Sequence, residues 1–574
     1  MKKIILFIGL IPILTWAQSP AFSWAKRIGG DGGDVGNAIA TDDAGNIFLT
    51  GSFRDTVDFD PGPGVVNRMS KSNSDDIFIV KMDADGNLLW VKVFSGEGTD
   101  LGNSIAVDKA GYLYITGIFN DTVDFDPGPG VYELNSGNTS VSTSRADIFI
   151  LKLDTSGNFV WVKKVGSPSD DDFSSDIALD SSGNVYVTGN FTNTVDFDPG
   201  PGVYYLTAAN YDNFILKLTA SGNYSWAKAI EGQGNDDKGI SIDTDSEGNV
   251  YTVGVFRMTA DFDPGVDSFE LTSAGNFDIY VSMLDRFGNF VWAKRIGGTD
   301  NDEGQSIVID GSGNAIVTGN YAGVVDLNPG SGVMLTQGGS FGTFVLKLNQ
   351  SGIFVWAKDL RTTEWSDGYT SATDKSGNIY VGGEFVGKMD LNPGIDTFFI
   401  RSSSGGHSNG FIVKLDGSGN FAWGGHIEAK TTISASKIKA IAVANDKIYT
   451  TGYFSGEDDF DPTSGVSKLN TVNYHGDIFI MKMTQQAPTD IKDIARQELI
   501  LYPNPTSGLV TIFAPSIQNS YNIEVYNHLG ILIHTQSISK GQGVIDLRPY
   551  DSGLYIVRMI SNNEVISCSK IIKH

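Results

Sequence analysis

The stretch DIFILKLDTSGNFVWVKKVG, residues 147–166, decides the fold of this chain. It reads as two short runs of Ile, Leu, Val, Phe and Trp joined by a Gly-Asn turn, a hairpin signature. Its tryptophan, Trp161, recurs as Trp24, Trp90, Trp226, Trp292, Trp356 and Trp423. Successive spacings along the seven are 66, 71, 65, 66, 64 and 67 residues. A fixed period of this kind sets the architecture before any other reading.

Each period holds four strand-like pieces, shown in the second copy by NSIAVD (103–108), YLYITGIF (112–119), DIFILKLD (147–154) and NFVWVKKV (158–165). Several are apolar on both faces, as expected of sheets stacked between neighbouring sheets. Four-stranded sheets repeated radially describe a β-propeller. The second-strand element occurs seven times, from NIFLTGSF (46–53) to KIYTTGYF (447–454). The third also occurs seven times, from DIFIVKM (76–82) to DIFIMKM (477–483). The array opens on a fourth strand, FSWAKRIGG at 22–30, and ends on a third strand. Pairing the first with the last closes a ring and removes the exposed edges of an open array. The expectation is an all-β chain with a seven-bladed β-propeller, its N-terminal strand completing the last blade.

The pattern IAVDxxGNxYVTG…KLDxxGNxxW resembles the SBBP family of bacterial β-propeller repeats, over residues 22–483. The resemblance implies a propeller in a secreted protein. It does not imply an activity, since propellers host many.

Composition agrees and narrows the function classes. There are 69 glycines, 11% aromatic residues and 19% charged residues among 574, too aromatic for disorder. A net charge of -26 disfavours nucleic acid, whose phosphates need cationic partners, and leaves bound cations open. Cys568 is the single cysteine, which rules out an internal disulfide and a thiolate zinc site. Lys2 and Lys3, the apolar run 4–14 and Thr15-Trp16-Ala17 read as a signal peptide over 1–17. The remaining segments are too short and polar to cross a bilayer as helices.

In a four-stranded meander, the DxxGN turns (42–46, 83–87, 154–158 and others) lie on one face. Asp caps such a turn and Gly supplies positive φ. The DADGN copy at Asp83 hints at a calcium loop but lacks its closing Glu. The opposite face receives VDFDPGPG at 57–64, 123–130 and 195–202, with looser copies at 260–265, 325–330, 389–394 and 458–462. Acidic loops at Asp31/Asp34, 170–172, Asp236/Asp237 and Asp300/Asp302/Glu303 are expected there too, making an acidic rim. The first aspartate of the motif is kept in every copy: Asp58, Asp124, Asp196, Asp261, Asp326, Asp390 and Asp459. The second becomes Asn328 and Asn392 in two copies, as a turn cap would tolerate. The first set fits either of two roles: a local turn, or ligands for calcium, which wants six to eight oxygens.

No HExxH, GxSxG or P-loop pattern is present. His407, His426 and His475 fall late in the array, which argues against a histidine centre on the axis. Two carboxylates can hydrolyse glycosides, but repetition singles out no pair. Trp365, beside Glu364 and Asp367, is an odd aromatic expected on the acidic face, suited to a sugar ring or to local packing.

After residue 484 the register changes. A polar linker (485–497) leads to LILYPNPTSGLVTI, YNIEVYNHLG, LRPYDSGLYIVRM and the terminal KIIKH, short strands of a small Ig-like β-sandwich. YPNPTSG (502–508), IEVYNHLG (523–530) and LRPYDSGLYIVRM (547–559) resemble the C-terminal sorting domain of the type IX (Por) secretion system. That resemblance implies export through the periplasm to the outer surface by that machinery, and removal of the domain. The resulting division is signal peptide 1–17, propeller 18–484, linker 485–497 and sorting domain 498–574. The function expected is a non-enzymatic binding or adhesion module acting through its acidic rim on a glycan or surface protein, without cofactor unless calcium binds. The alternative is a secreted carboxylate-dependent polysaccharide hydrolase or lyase.

Overall fold

The computed structural model describes residues 20–137, 145–167, 170–336, 341–403, 406–431, 434–463, 465–472, 475–485, 500–513, 521–527, 532–538, 542–561 and 564–574. The expected signal peptide and nearly all of the expected linker lie outside them. Among the described residues the chain is all-β, with no helix. It divides into two compact units, residues 1–486 and 487–574.

In the first unit the strands pair antiparallel in sets of four. The first set is Val35–Thr41, Ile47–Phe53, Asp76–Met82 and Leu88–Phe94. The second is Leu101–Val107, Leu113–Phe119, Asp147–Leu153 and Phe159–Val165. Further sets begin at Phe173–Leu179, Lys238–Thr244, Glu303–Ile309, Trp365–Thr373 and Ala435–Ala444. The last set has only three strands in sequence, and its fourth is Ala21–Gly30 from the chain start. That strand pairs with Asp477–Thr484 through Ala25↔Met481 and Ile28↔Ile478.

Each first strand packs beside the first strand of the following set, and 435–444 packs beside 35–41. One cavity of about 470 Å³ is lined by all seven first strands. The cores sit between neighbouring sheets. Phe48, Ile77 and Ile79 of the first sheet pack with Leu113, Ile115 and Phe149 of the second. Second strands such as 47–53 and 113–119 are buried along their whole length, which explains why they lack a polar alternation.

The recurring tryptophan belongs to these seams. Trp161, near the start of a fourth strand, lies against Gly222 in the hairpin turn of the next sheet. The same contact joins Trp24 to Gly86, Trp90 to Gly157, Trp226 to Gly288, Trp292 to Gly352 and Trp356 to Gly419. Glycine is needed twice over at Gly222: its φ is +75°, and a Cβ would stand 3.0 Å from the indole. The third-strand lysine reaches across the same seam. Lys81 Nζ donates to Thr155 O, Lys152 to Ala220 O, Lys217 to Arg286 O, Lys347 to Gly417 O and Lys482 to Ala84 O.

The second unit has a three-stranded and a four-stranded antiparallel sheet around Val510, Ile512, Ile523, Val525, Ile545, Leu547, Val557, Met559 and Ile571. Its opening motif clamps the final strand. Asn504 Oδ1 accepts from Ile572 N at 2.9 Å, Thr506 N donates to Ile572 O at 2.8 Å, and His574 N donates to Thr506 O at 3.0 Å.

Two glycine substitutions separate the seam contact from backbone strain. Gly377 has φ +78° with nothing within 4 Å of an added Cβ, so Gly377→Ala carries only the left-handed backbone cost, about 1 kcal/mol. Gly222→Ala adds the clash with Trp161 and is expected to lose about 1–3 kcal/mol more in denaturant unfolding. Equal losses would mean that the tryptophan contact contributes nothing.

Candidate functional site

The seven motif aspartates each hold a loop closed. Asp58 Oδ1 accepts from Asp60 N (3.1 Å) and Val66 N (2.8 Å). Asp124, Asp196 and Asp261 take the same two bonds, from Asp126 and Tyr132, Asp198 and Tyr204, and Asp263 and Phe269. Asp326, Asp390 and Asp459 repeat them on Asn328 and Met334, Asn392 and Phe398, and Asp461 and Ser467. The second residue caps the turn itself: Asp60 Oδ1 accepts from Gly62 N and Asn328 Oδ1 from Gly330 N, each at 2.8 Å. An amide serves there as well as a carboxylate, which accounts for the two asparagines.

The structure does not gather these aspartates at the cavity; none of the seven lines it. A left-handed residue ahead of each hairpin (Asp55, Asp121, Asn193, Met258, Gly323, Gly387 or Gly456) reverses the chain. The hairpins then run back beside the preceding sheet, as the pairs Gly29↔Asp58, Glu231↔Asp261 and Glu428↔Asp459 show. The intervening aromatic pins the loop, Phe59 lying 5.2 Å from Phe53 and 5.4 Å from Phe78. Among the described residues no group of three or more His, Cys, Asp or Glu is placed to hold a metal ion. The DADGN turn at Asp83 is held like the other hairpins, Asp83 accepting from Asp85 N, Asn87 N and Asn87 Nδ2.

The acidic fourth-to-first loops are also used internally. Asp34, Asp100, Asp172, Asp237 and Asp302 are buried. Asp100 accepts from Asn120 N and Gly96 N, and Asp302 from Ala322 N and Gly298 N. Across each of these five seams stands a second buried carboxyl that sequence reading missed, at the start of a third strand: Asp477, Asp76, Asp147, Asp212 and Asp278. Three of these meet a cation: Arg27 on Asp477, Lys164 on Asp147 and Arg295 on Asp278. Burial, reinforced by the facing carboxylate, pushes Asp34 and Asp100 up to about 8 and Asp172 and Asp237 to about 7. Asp302, Asp76, Asp147, Asp212 and Asp477 rise to about 6, chiefly through burial.

Where the first strands begin, the cavity wall is mostly neutral: Asn37, Asn103, Ser175, Ile240 and Gln305 at equivalent places. The sixth and seventh sheets put Tyr369 and Lys439 there instead. Tyr369 OH lies 2.5 Å from Glu384 Oε1 and 3.1 Å from Asp367 Oδ2. Lys437 Nζ bonds the same Glu384 oxygen at 2.5 Å, and its ammonium stands 5.8 Å from the ring centroids of Tyr369 and Tyr453. Glu384 is 1% exposed, and its Oε2 has no hydrogen-bond partner. A phenol has one proton, so Tyr369 cannot donate to both carboxyls. Burial, and then the charge of Glu384, raise the Asp367 pKa, which suits a protonated Asp367 donating to Tyr369. Deeper in the cavity, burial raises Asp176 against four donors: Ser104 Oγ, Ser241 Oγ, Ile177 N and Ile242 N. Trp365 is half-buried and paired with Val386. His426 is packed edge-on to Phe385 and its pKa is lowered by burial.

A family model described as a secretion system C-terminal sorting domain matches residues 500–574, and one described as a β-propeller repeat matches 23–52 and 160–194. This chain carries SBBP β-propeller repeats and a type IX sorting domain. The sorting domain points to secretion toward the cell surface or beyond. No helix among the described residues is long and apolar enough to cross a membrane. An uncharacterized WD repeat-containing protein of Acanthamoeba polyphaga mimivirus is 25% identical over 87% of this chain and 41% of its own length. A regulatory protein, FlaEY, of Caulobacter vibrioides is 24% identical over 29% of this chain and 17% of its own length. The chain thus spans less than half of either relative. Among solved structures, a fungal alcohol oxidase in complex with copper aligns over 97% of this chain and all of its own, at 11% identity and a TM-score of 0.37.

The seam carboxyls fix the sign of the pH dependence of the propeller-repeat unit. Their folded pKa values lie above the unfolded 3.8, so between about pH 4 and 8 the folded state binds more protons and stability falls as pH rises. The turn carboxyls Asp83, Asp154, Asp180 and Asp285 are shifted down, and their contribution is lost only below that window. The melting temperature is expected to climb as pH drops from 8 to 5, read by calorimetry. A flat or falling profile would contradict the assignment.

Proposed function

We propose that the seven four-stranded sets are the blades of one closed propeller. Type IX secretion delivers it to the cell surface or the medium, where it works as a non-enzymatic binding and adhesion module. Support for closure comes from the cyclic packing of first strands and from ties at the seams. Asn37 Nδ2 donates to Gly102 O, Asn103 Nδ2 to Ser174 O, Ile309 N to Asp243 Oδ2, Ser371 N to Ser306 Oγ, and Lys439 Nζ to Asn37 Oδ1.

One observation carries the binding reading. Most polar side chains that recur in the blades are consumed by turns and seams, whereas Tyr369, which lines the central cavity, breaks the repeat there and is backed by Asp367, Glu384 and Lys437. A concave site with a few convergent polar groups is where a ligand is expected. The hydrolase or lyase alternative would use Asp367 and Glu384. Both converge on one hydroxyl, and Glu384 is neutralised by Lys437, which suits a positioned acceptor better than a nucleophile. In this reading the seven motif aspartates are loop clamps and calcium is not required.

Export is tested by deleting 498–574. The truncated protein is expected to accumulate in the periplasm while the full chain reaches the outside, scored by fractionation. Normal surface delivery of the truncated chain would overturn the export half of the proposal.

A further inference from the structure

Resting on the reading of the central cavity as a ligand site, we infer that Lys439 is its reactive group, an amine that captures a small aldehyde as a reversible imine.

Lys439 comes from the first strand of the seventh sheet and lines the cavity. At the equivalent place the other six first strands carry Asn37, Asn103, Ser175, Ile240, Gln305 and Tyr369, so Lys439 is the one amine of that ring. The residue is half-buried, and its Nζ donates to a neutral acceptor, Asn37 Oδ1, at 3.0 Å. Among the described residues it forms no ion pair, because the neighbouring Glu384 is taken by Lys437.

The charged groups around it are accounted for. Its own strand adds Lys437, and Tyr453 of the same sheet lies under that second ammonium, 5.8 Å from the ring centroid. The sixth sheet presents Asp367, Tyr369 and Glu384, which bond among themselves and to Lys437. Residues 35–41 of the first sheet contain no titratable group. Two carboxyls line the cavity, Asp176 of the third sheet and Asp243 of the fourth. Asp176 accepts from its four donors, and Asp243 accepts from Thr244 N and Ile309 N. Both are spent on holding strands, and neither pairs with Lys439.

Burial, and then the charge of Lys437, lower the Lys439 pKa, with Glu384 opposing. An amine attacks only when unprotonated, and desolvation beside a second cation is how a protein obtains one near neutral pH. The nitrogen lone pair then bonds to the carbonyl carbon while the C=O π pair moves to oxygen. A proton passes from nitrogen to that oxygen, giving a carbinolamine. Loss of water leaves a C=N bond, and addition of water reverses it, so no oxidant or reductant enters. The cavity, about 470 Å³, lies within the roughly 300–1,000 Å³ of small-molecule sites.

The test exposes the full chain to glycolaldehyde with cyanoborohydride, which reduces the imine to a stable secondary amine, and maps modified lysines by peptide mass. At about pH 7, Lys439 is expected to be modified about tenfold or more faster than the exposed Lys375, the excess shrinking toward the ordinary lysine pKa of about 10.4. Lys439→Arg keeps the charge and removes the nucleophile, so the fast modification should vanish while Lys375 reacts as before. A melt establishes that the variant is folded; should it not be, the site map of the unsubstituted chain decides alone. Modification of Lys439 no faster than that of Lys375 would overturn the inference. So would retention of a ligand sensitive to Tyr369→Phe with Lys439 unreactive, an outcome that leaves the binding reading intact.

Discussion

The pairing of residues 21–30 with 477–484 is the interaction on which the rest of the first unit depends. Sheets apolar on both faces are stable only when covered on both sides, and a linear stack would leave two bare faces. Joining strands some 450 residues apart (Arg27 meets Asp477 across this pairing) covers them with the chain's own ends. It also explains a break in the tryptophan series. Six tryptophans lie on the turn glycine of the next sheet. The seventh sheet takes its fourth strand from the chain start, so no third-to-fourth turn exists there to receive Trp423 in the same way.

The turns and the seams between sheets also explain where the acidity goes. A net charge of -26 suggests a surface of exposed carboxylates, yet many of the repeated aspartates are spent on backbone N–H groups. Those in the turns hold hairpins, those of the DFDPG segments hold the folded-back loops, and five pairs stand at seams. A buried carboxyl is tolerated only when bonded or protonated. The fifth-to-sixth and sixth-to-seventh seams carry Ser366 and Ser436 in place of the first aspartate. Asp367, Glu384 and Lys437 lie beside these two seams, so this cluster sits where the scaffold is relieved of paired carboxyls.

Much of the scaffold was legible because its causes are local. Alternation of apolar runs with Gly-Asn turns gave the strands, and the phase of the array gave the pairing of the N-terminal strand with the last sheet. The asparagines at 328 and 392 correctly marked the second aspartate as a turn cap. The destination of the loops was not legible. A single left-handed residue, Asp121 in the second sheet or Met258 in the fourth, turns each hairpin back along the neighbouring sheet, and nothing in the DFDPG motif itself announces this. The cluster around Tyr369 escaped notice for another reason: its members come from three strands of two sheets, 70 residues apart from Asp367 to Lys437. Comparing the seven first strands column by column would have exposed Tyr369 and Lys439 among neutral neighbours.

The central claim is that the N-terminal strand closes the array, and a reversible covalent bond tests it most directly. Ser23 Oγ and Thr484 Oγ1 stand 2.9 Å apart on exposed side chains, a spacing compatible with a disulfide. In a Cys568→Ser background, Ser23→Cys with Thr484→Cys is expected to oxidise readily. Because the bond closes so long a loop, it should raise the melting temperature of the propeller unit by a margin lost on reduction. A bond that fails to form, or forms without stabilising the unit, would contradict closure.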